Sequence, residues 1–122
     1  MSREDLIRTT PFPNALFELM PKLRDTEWRV LCVVVRFTCG FVDPYTKRRK
    51  LVTQISHRQF KRWTGRESAA ICRAIDVLAR AQVIDVRDSV GRILSSRDSR
   101  RRSRQTLTYG VALRLYRPQD EP

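Results

Sequence analysis

The chain has 122 residues, 41% of them hydrophobic and 31% charged, and its formal net charge at pH 7 is +12. This length predicts one domain that can bury a core without cross-links. The charge predicts a polyanionic partner, and 21 of the 25 basic residues are arginines, whose planar fork suits phosphate oxygens and the guanine edge. A GC-rich genome or growth at high temperature would also favour arginine, but neither explains the excess of basic over acidic residues.

Three cysteines and a single histidine argue against a metal centre. Cys32, Cys39 and Cys72 form no C-x-x-C pair, and His57 is the only histidine, so a structural zinc site lacks ligands. Cys32 and Cys39 are expected to point into the core. The chain opens on polar residues and contains no apolar run near the 20 residues or so that a membrane helix needs. We therefore expect a cytoplasmic, nucleoid-associated protein with reduced thiols, no metal, no cofactor and no membrane partner.

The N-terminal part predicts an arm and then a short helix. Residues 1–13 are expected to form the arm, residues 14–116 the domain, and residues 117–122 a tail or the start of a linker. Asn14 is predicted to cap a helix that Pro21 stops or kinks. The aromatic side chains of Phe12 and Phe17 either complete the core or form a dimer interface.

A second helix is predicted from a cap at Asp25 or Thr26 to about Cys39, with Gly40 as its stop. Between Trp28 and Phe37 only two residues are polar, both arginines seven positions apart. The other faces of this helix are therefore expected to be buried. The β-branched run in its middle leaves a strand as the alternative. In the following loop, Lys47, Arg48, Arg49 and Lys50 either form a solvated loop or contact phosphates.

The stretch from Gln54 to Leu115 predicts a short strand, two helices separated by a tight turn, and a strand hairpin. Ser56 and Gln59 form a capping box for a helix over His57–Trp63, and Thr64-Gly65 ends it. A second helix is predicted over Glu67–Ala81. Its apolar stripe consists of Ile71, Ala74, Ile75 and Leu78. Strands are predicted at Val83–Val86 and through the alternating residues Leu107, Tyr109, Val111, Leu113 and Leu115. This order predicts an α+β winged helix with a mostly helical N-terminal half, a fold that mostly binds duplex DNA.

In a helix-turn-helix the second helix enters the major groove. Arg66 and Arg73 are therefore predicted to read guanine, and Ala69 to touch a thymine methyl group. Ser68 would contact a phosphate or a base. Arg80 is a further candidate, although Arg73 and Arg80 could instead pair with Asp76. On the preceding helix the candidates for phosphate contacts are His57, Arg58 and Arg62.

The hairpin connection between Asp88 and Arg104 is the strongest electrostatic feature of the sequence. It contains six arginines: Arg92, Arg97, Arg100, Arg101, Arg102 and Arg104. A connection of this length has no core to pack against and is expected to be mobile in the free protein. It would enter a narrow minor groove or neutralise phosphates, each of which adds about 0.9 to the log–log salt slope. A loop without a target is the alternative.

No catalytic pattern stands out. The carboxylates are scattered and no glycine-rich phosphate loop is present. A nicking tyrosine (Tyr45, Tyr109 or Tyr116) would normally need a metal-binding histidine cluster, which a chain with one histidine lacks. The sequence therefore predicts a binding protein rather than an enzyme.

Several segments resemble the N-terminal domain of phage replication protein O. The similar residues are Thr10–Asn14, Glu27–Phe41, Ile55-Ser56, Phe60, Thr64-Gly65, Ile71–Ile75 and Leu78. The resemblance implies a replication initiator whose winged helix binds repeated origin sites, commonly as a homodimer on inverted repeats. It also implies a C-terminal region that engages replication proteins. That region is missing here, so we expect either a fragment of a longer initiator or a stand-alone origin-binding protein.

The chain departs from this family at the start of the recognition helix. Family members usually carry basic or hydroxyl residues there, whereas this chain has a single hydroxyl residue, Ser68, followed by Ala69 and Ala70. We therefore expect the wing and the phosphate contacts to contribute more to binding. A winged-helix transcription regulator is one alternative function. An arginine-rich winged-helix module that binds RNA or an acidic protein is the other.

Overall fold

The computed structural model describes residues 10–39, 45, 51–94, 96–102, 107–112 and 115. In chain order the elements are α1 (Asn14–Phe17), a 3-10 turn (Met20–Lys22), α2 (Asp25–Thr38), β1 (Thr53–Gln54), α3 (His57–Thr64), α4 (Ser68–Arg80), β2 (Ile84–Arg87), α5 (Arg97–Arg102) and β3 (Thr108–Val111). The predicted α+β class is confirmed. The short helix α5 was not predicted.

The three strands form one antiparallel sheet in the order β1-β3-β2. β3 is central: Tyr109 pairs with Thr53 of β1 on one side and with Val86 of β2 on the other. The predicted hairpin between β2 and β3 is therefore confirmed, as is the short strand before α3.

The predicted continuation of the second hairpin strand to Leu115 is wrong. The ladder ends where the Ala112 N–H donates to the Val83 carbonyl at 2.9 Å, and Leu115 N–H then turns back to the Ala112 carbonyl. The reason lies in the partner strand, because Gln82 has a φ of 57° and the chain before it turns into α4. No extended backbone remains there to pair with.

The core lies between α2, α4 and the sheet. α2 buries Val30, Leu31, Val33, Val34 and Val35, so the β-branched run is helical and the strand alternative is wrong. α4 contributes the predicted stripe, all four residues of which are buried. Phe60 is fully buried and packs edge-on against Tyr109, with 5.1 Å between ring centroids. Burial of these side chains is the main favourable term in the folding free energy.

The start of α2 differs from the prediction by one residue. Asp25 is the first helical residue and Arg24 is the cap, so neither Asp25 nor Thr26 caps the helix. The Arg24 N–H donates to Glu27 Oε1 at 3.1 Å, which satisfies one backbone group that a helix start leaves unpaired. Cys39 is buried as predicted, whereas Cys32 is only half-buried, and burial raises the pKa of its thiol.

The N-terminal segment packs its aromatic residues together. Asn14 is the first residue of α1 and Pro13 precedes it as the cap, one residue earlier than predicted. Pro21 lies inside the 3-10 turn rather than ending α1. The Phe12 ring contacts Phe17 and Trp28 at centroid distances of 4.9 Å and 5.6 Å. Phe12 therefore packs at the edge of the core, while Phe17 stays 50% exposed.

The α3–turn–α4 unit follows the predicted pattern closely. The Ser56 N–H donates to Gln59 Oε1 at 2.8 Å and the Gln59 N–H donates to Ser56 Oγ at 3.2 Å, so the capping box is confirmed. Gly65 ends α3 in the left-handed region, at φ 70° and ψ 18°, where residues with a side chain are strained. Glu67 then caps α4.

Candidate nucleic-acid interface

The exposed face of α4 carries three of the predicted contact residues. Ser68, Ala69 and Arg73 are all exposed, on the side of the helix away from its buried stripe. In the part of the chain that the structure describes, Arg73 makes no ion pair. Its guanidinium is therefore free to meet a ligand, and its alternative role as a partner of Asp76 is not seen.

Arg66, the other predicted guanine reader, is held by an ion pair. Its guanidinium bonds the Asp25 carboxylate, which also accepts a hydrogen bond from Arg29 Nε at 2.9 Å. Arg29 in turn donates to the Thr64 carbonyl at 2.8 Å. The hydrogen bond from Arg66 is the main reason why the pKa of Asp25 lies below its usual value. These contacts tie the turn before α4 to the start of α2.

Asp76 of α4 holds two arginines. Arg80 Nε lies 3.2 Å from one carboxylate oxygen, and Arg100 Nη2 lies 2.7 Å from the other. The predicted alternative, pairing of Arg80 with Asp76, is confirmed, although the Arg80 side chain remains 70% exposed. Arg100 is only 8% exposed and also donates to the Leu94 carbonyl at 3.2 Å. The expectation that the arginine-rich connection packs against nothing is therefore wrong at Arg100.

The connection begins with a tight turn that Asp88 organises. Asp88 Oδ1 accepts the backbone N–H groups of Val90 and Arg92 at 3.0 Å and 2.9 Å, and Oδ2 accepts Arg92 Nε at 2.9 Å. The backbone bond from Arg92 is the main cause that lowers the pKa of Asp88. Beyond the turn, Ile93 forms a bridge with Arg87 of β2. The sequence Asp88-Ser89-Val90-Gly91 is typical of such a turn, so this feature could have been predicted.

The predicted phosphate contacts on α3 are exposed. His57, Arg58 and Arg62 are at the surface, and none of them forms an ion pair within the described residues. His57 Nε2 lies 3.8 Å from Cys72 Sγ, which places the start of α3 beside α4. His57 is thus the predicted phosphate contact on α3 that the structure places next to α4.

The remaining candidates are only partly described. Arg92 and Arg97 are exposed, Arg92 in its pair with Asp88 and Arg97 at the start of α5. Arg101 and Arg102 belong to α5. Five predicted contact residues lie outside the described residues: Lys47, Arg48, Arg49, Lys50 and Arg104.

The two tyrosines in the described ranges differ in exposure. Tyr109 is buried, and burial raises its pKa to about 12, so its phenol stays protonated near pH 7. Tyr45 is 92% exposed, and Tyr116 lies outside the described residues. Within the described ranges, no three His, Cys, Asp or Glu residues are grouped so that they could hold a metal ion.

No helix in the described part of the chain is long and apolar enough to cross a membrane. Comparisons with models of protein families, with curated proteins and with solved structures found no match.

Proposed function

We propose that this chain is a winged-helix domain that binds duplex DNA in a sequence-specific manner, with α4 in the major groove. The order of elements from β1 to β3 and the strand order β1-β3-β2 are compatible with a winged helix. In that fold α4 is the recognition helix and the β2–β3 connection is the wing.

The distribution of charge on the described surface is the observation that carries the proposal. Four aspartates, Asp25, Asp76, Asp85 and Asp88, are each paired with at least one arginine. Within the described residues, the arginines that are exposed and form no ion pair include Arg58 and Arg62 of α3, Arg73 of α4 and Arg97 of α5. Part of the chain's excess positive charge is thus exposed on α3, α4 and α5, the helices that the proposal places against DNA.

In this mode of binding, side chains of α4 contact bases and side chains of α3 contact phosphates. Arg73 would bond guanine O6 and N7 with both arms of its guanidinium, and Ala69 would contact a thymine methyl group. Arg58, Arg62 and His57 would bond phosphates and so fix the position of α4 in the groove. Arg66 is held by Asp25, so it would support the turn and not read a base unless DNA displaced the carboxylate.

The biological setting that we propose is origin recognition by a phage- or plasmid-type replication initiator. The sequence resemblance to phage replication protein O supports it. A homodimer on inverted repeats and a contact with other replication proteins belong to the same proposal.

Selection of random duplex DNA on the purified protein, at near-physiological salt, tests the proposal. We expect a sequence motif to be recovered. A repeated or palindromic motif that also occurs at a replication origin would favour a replication initiator. The same motif matched to a promoter would favour a transcription regulator. Single-stranded RNA that competes as well as duplex DNA, with no motif recovered, would refute sequence-specific recognition and favour the RNA-binding alternative.

A further inference from the structure

Helix α5 is too short to persist without support. It has six residues, and isolated helices below about 12 residues are marginal in water. Ser96 precedes the helix: Ser96 Oγ accepts the Ser99 N–H at 3.1 Å, and the Ser96 carbonyl accepts the Arg100 N–H at 3.2 Å. These local bonds shape the first turn but do not fix the helix to the rest of the domain.

Among the described side chains of α5, Arg100 bonds the helix to the rest of the domain. Its Nη2 bonds Asp76 Oδ1 of α4 at 2.7 Å, and its Nη1 bonds the Leu94 carbonyl at 3.2 Å. The Arg100 and Asp76 side chains are only 8% and 15% exposed. A charge-assisted bond between two largely buried groups is stronger than a surface ion pair and costly to break from one side.

Asp76 also lies close to the face that would meet DNA. It is three residues after Arg73 and four before Arg80, so the three side chains are neighbours on the helix surface. An unpaired carboxylate at this position would repel phosphates. Here the carboxylate forms ion pairs with Arg80 and Arg100. These pairs neutralise its charge, and the pair with Arg100 attaches α5 to α4.

We propose that Asp76 is a positioning residue that seats α5 along α4, so that the exposed Arg97 of α5 contacts backbone phosphates beside the groove that α4 occupies. The inference rests on the proposed DNA binding. The wing would then present part of its charge in a fixed place. Contacts from a seated helix avoid the ordering cost that a disordered segment pays on binding.

The direction in which DNA affinity changes in Asp76→Asn distinguishes this positioning role from a general effect of net charge. Removing any acidic group raises the net charge by one and should tighten binding to a polyanion. If Asp76 seats α5, Asp76→Asn instead weakens binding. Asp98 is the matched control because it lies exposed in α5 itself and makes no ion pair within the described residues. Asp76→Glu keeps the carboxylate and serves as the conservative variant.

Two measurements on the wild type and on Asp76→Asn, Asp76→Glu and Asp98→Asn test the proposal. The first is amide hydrogen exchange of residues 97–102 in the free protein. We expect exchange about tenfold faster in Asp76→Asn and nearly unchanged in the other two variants. Exchange in α2 should stay unchanged, which shows that the variant is folded.

The second measurement is the dissociation constant for duplex DNA at 0.15 M salt. We expect it to rise about tenfold in Asp76→Asn, to recover in Asp76→Glu, and to stay equal or fall in Asp98→Asn. Equal or tighter binding by Asp76→Asn would overturn the proposal, as would unprotected α5 amides in the wild type. If the wild type binds no duplex, the proposed function is refuted, and the phosphate contacts of α5 are refuted with it. The hydrogen-exchange data would still decide whether Asp76 holds α5 against α4.

Discussion

Replacing Arg73 with alanine should remove sequence preference without affecting folding. Arg73 is exposed and makes no ion pair within the described residues, and the nearby Asp76 already holds Arg80 and Arg100 at 3.2 Å and 2.7 Å. The truncation therefore leaves no carboxylate unpaired, and we expect the free energy of unfolding to change by less than about 0.5 kcal/mol. A bidentate contact with guanine contributes about 1–3 kcal/mol of discrimination. Affinity for the selected duplex should then fall by about 5- to 150-fold.

Arg62→Ala is the matched control for this experiment. It removes the same side chain and the same charge from the exposed surface of α3. We expect it to weaken selected and scrambled duplexes alike and to lower the log–log salt slope by about 0.9. Fluorescence anisotropy with both duplexes, over a range of salt concentrations, gives these quantities. If Arg73→Ala weakened both duplexes equally, the assignment of base reading to α4 would be refuted.

Three further predictions concern the scaffold that holds α4. Gly65→Ala should lower the free energy of unfolding by about 1 kcal/mol in urea titration, because φ is 70° and nothing lies near the added methyl group; Gly65→Asn should cost less, and equal costs would contradict this reason. Gly110→Ala should lower the free energy of unfolding by about 3 kcal/mol in the same assay, because its methyl group would overlap the Leu51 carbonyl oxygen. A smaller loss than that of Gly65→Ala would show that the backbone at Leu51 can move away from the methyl group and would contradict this reason. The pKa of Asp25 is lowered in the folded protein, mainly by Arg66, so its stabilisation is complete above its unfolded pKa of about 3.9 and is lost as the pH falls through the folded value. The melting temperature of Asp25→Asn should therefore depend less steeply on pH below about pH 4 than that of the wild type, and parallel curves would refute this role.

Local features of the fold could be predicted because their causes lie within a few residues. The Ser56–Gln59 capping box and the left-handed Gly65 each follow from short-range geometry. The buried stripe of α4 follows from helical periodicity. The caps of α1 and α2 lie one residue before the predicted ones, at Pro13 and Arg24. At Arg24 the backbone N–H donates to the Glu27 side chain.

Long-range ion pairs could not be predicted from the sequence. Arg66 finds its partner 41 residues away, in Asp25, and Arg100 finds Asp76 at a separation of 24 residues. Nothing in the local pattern distinguishes these arginines from Arg73, which stays exposed. Which arginine is buried and which is left for a ligand is therefore decided by tertiary packing.

An amide chemical-shift titration of the labelled protein with the selected duplex tests whether α4 is the helix that contacts DNA. We expect the largest shifts at Ser68, Ala69 and Arg73 and at the start of α3, with small shifts around Phe17 on α1. This result would place the duplex against the exposed face of α4. Shifts concentrated around Phe17, with the amides of α4 unchanged, would show that DNA binds to another face of the domain and would refute the assignment of α4 as the recognition helix.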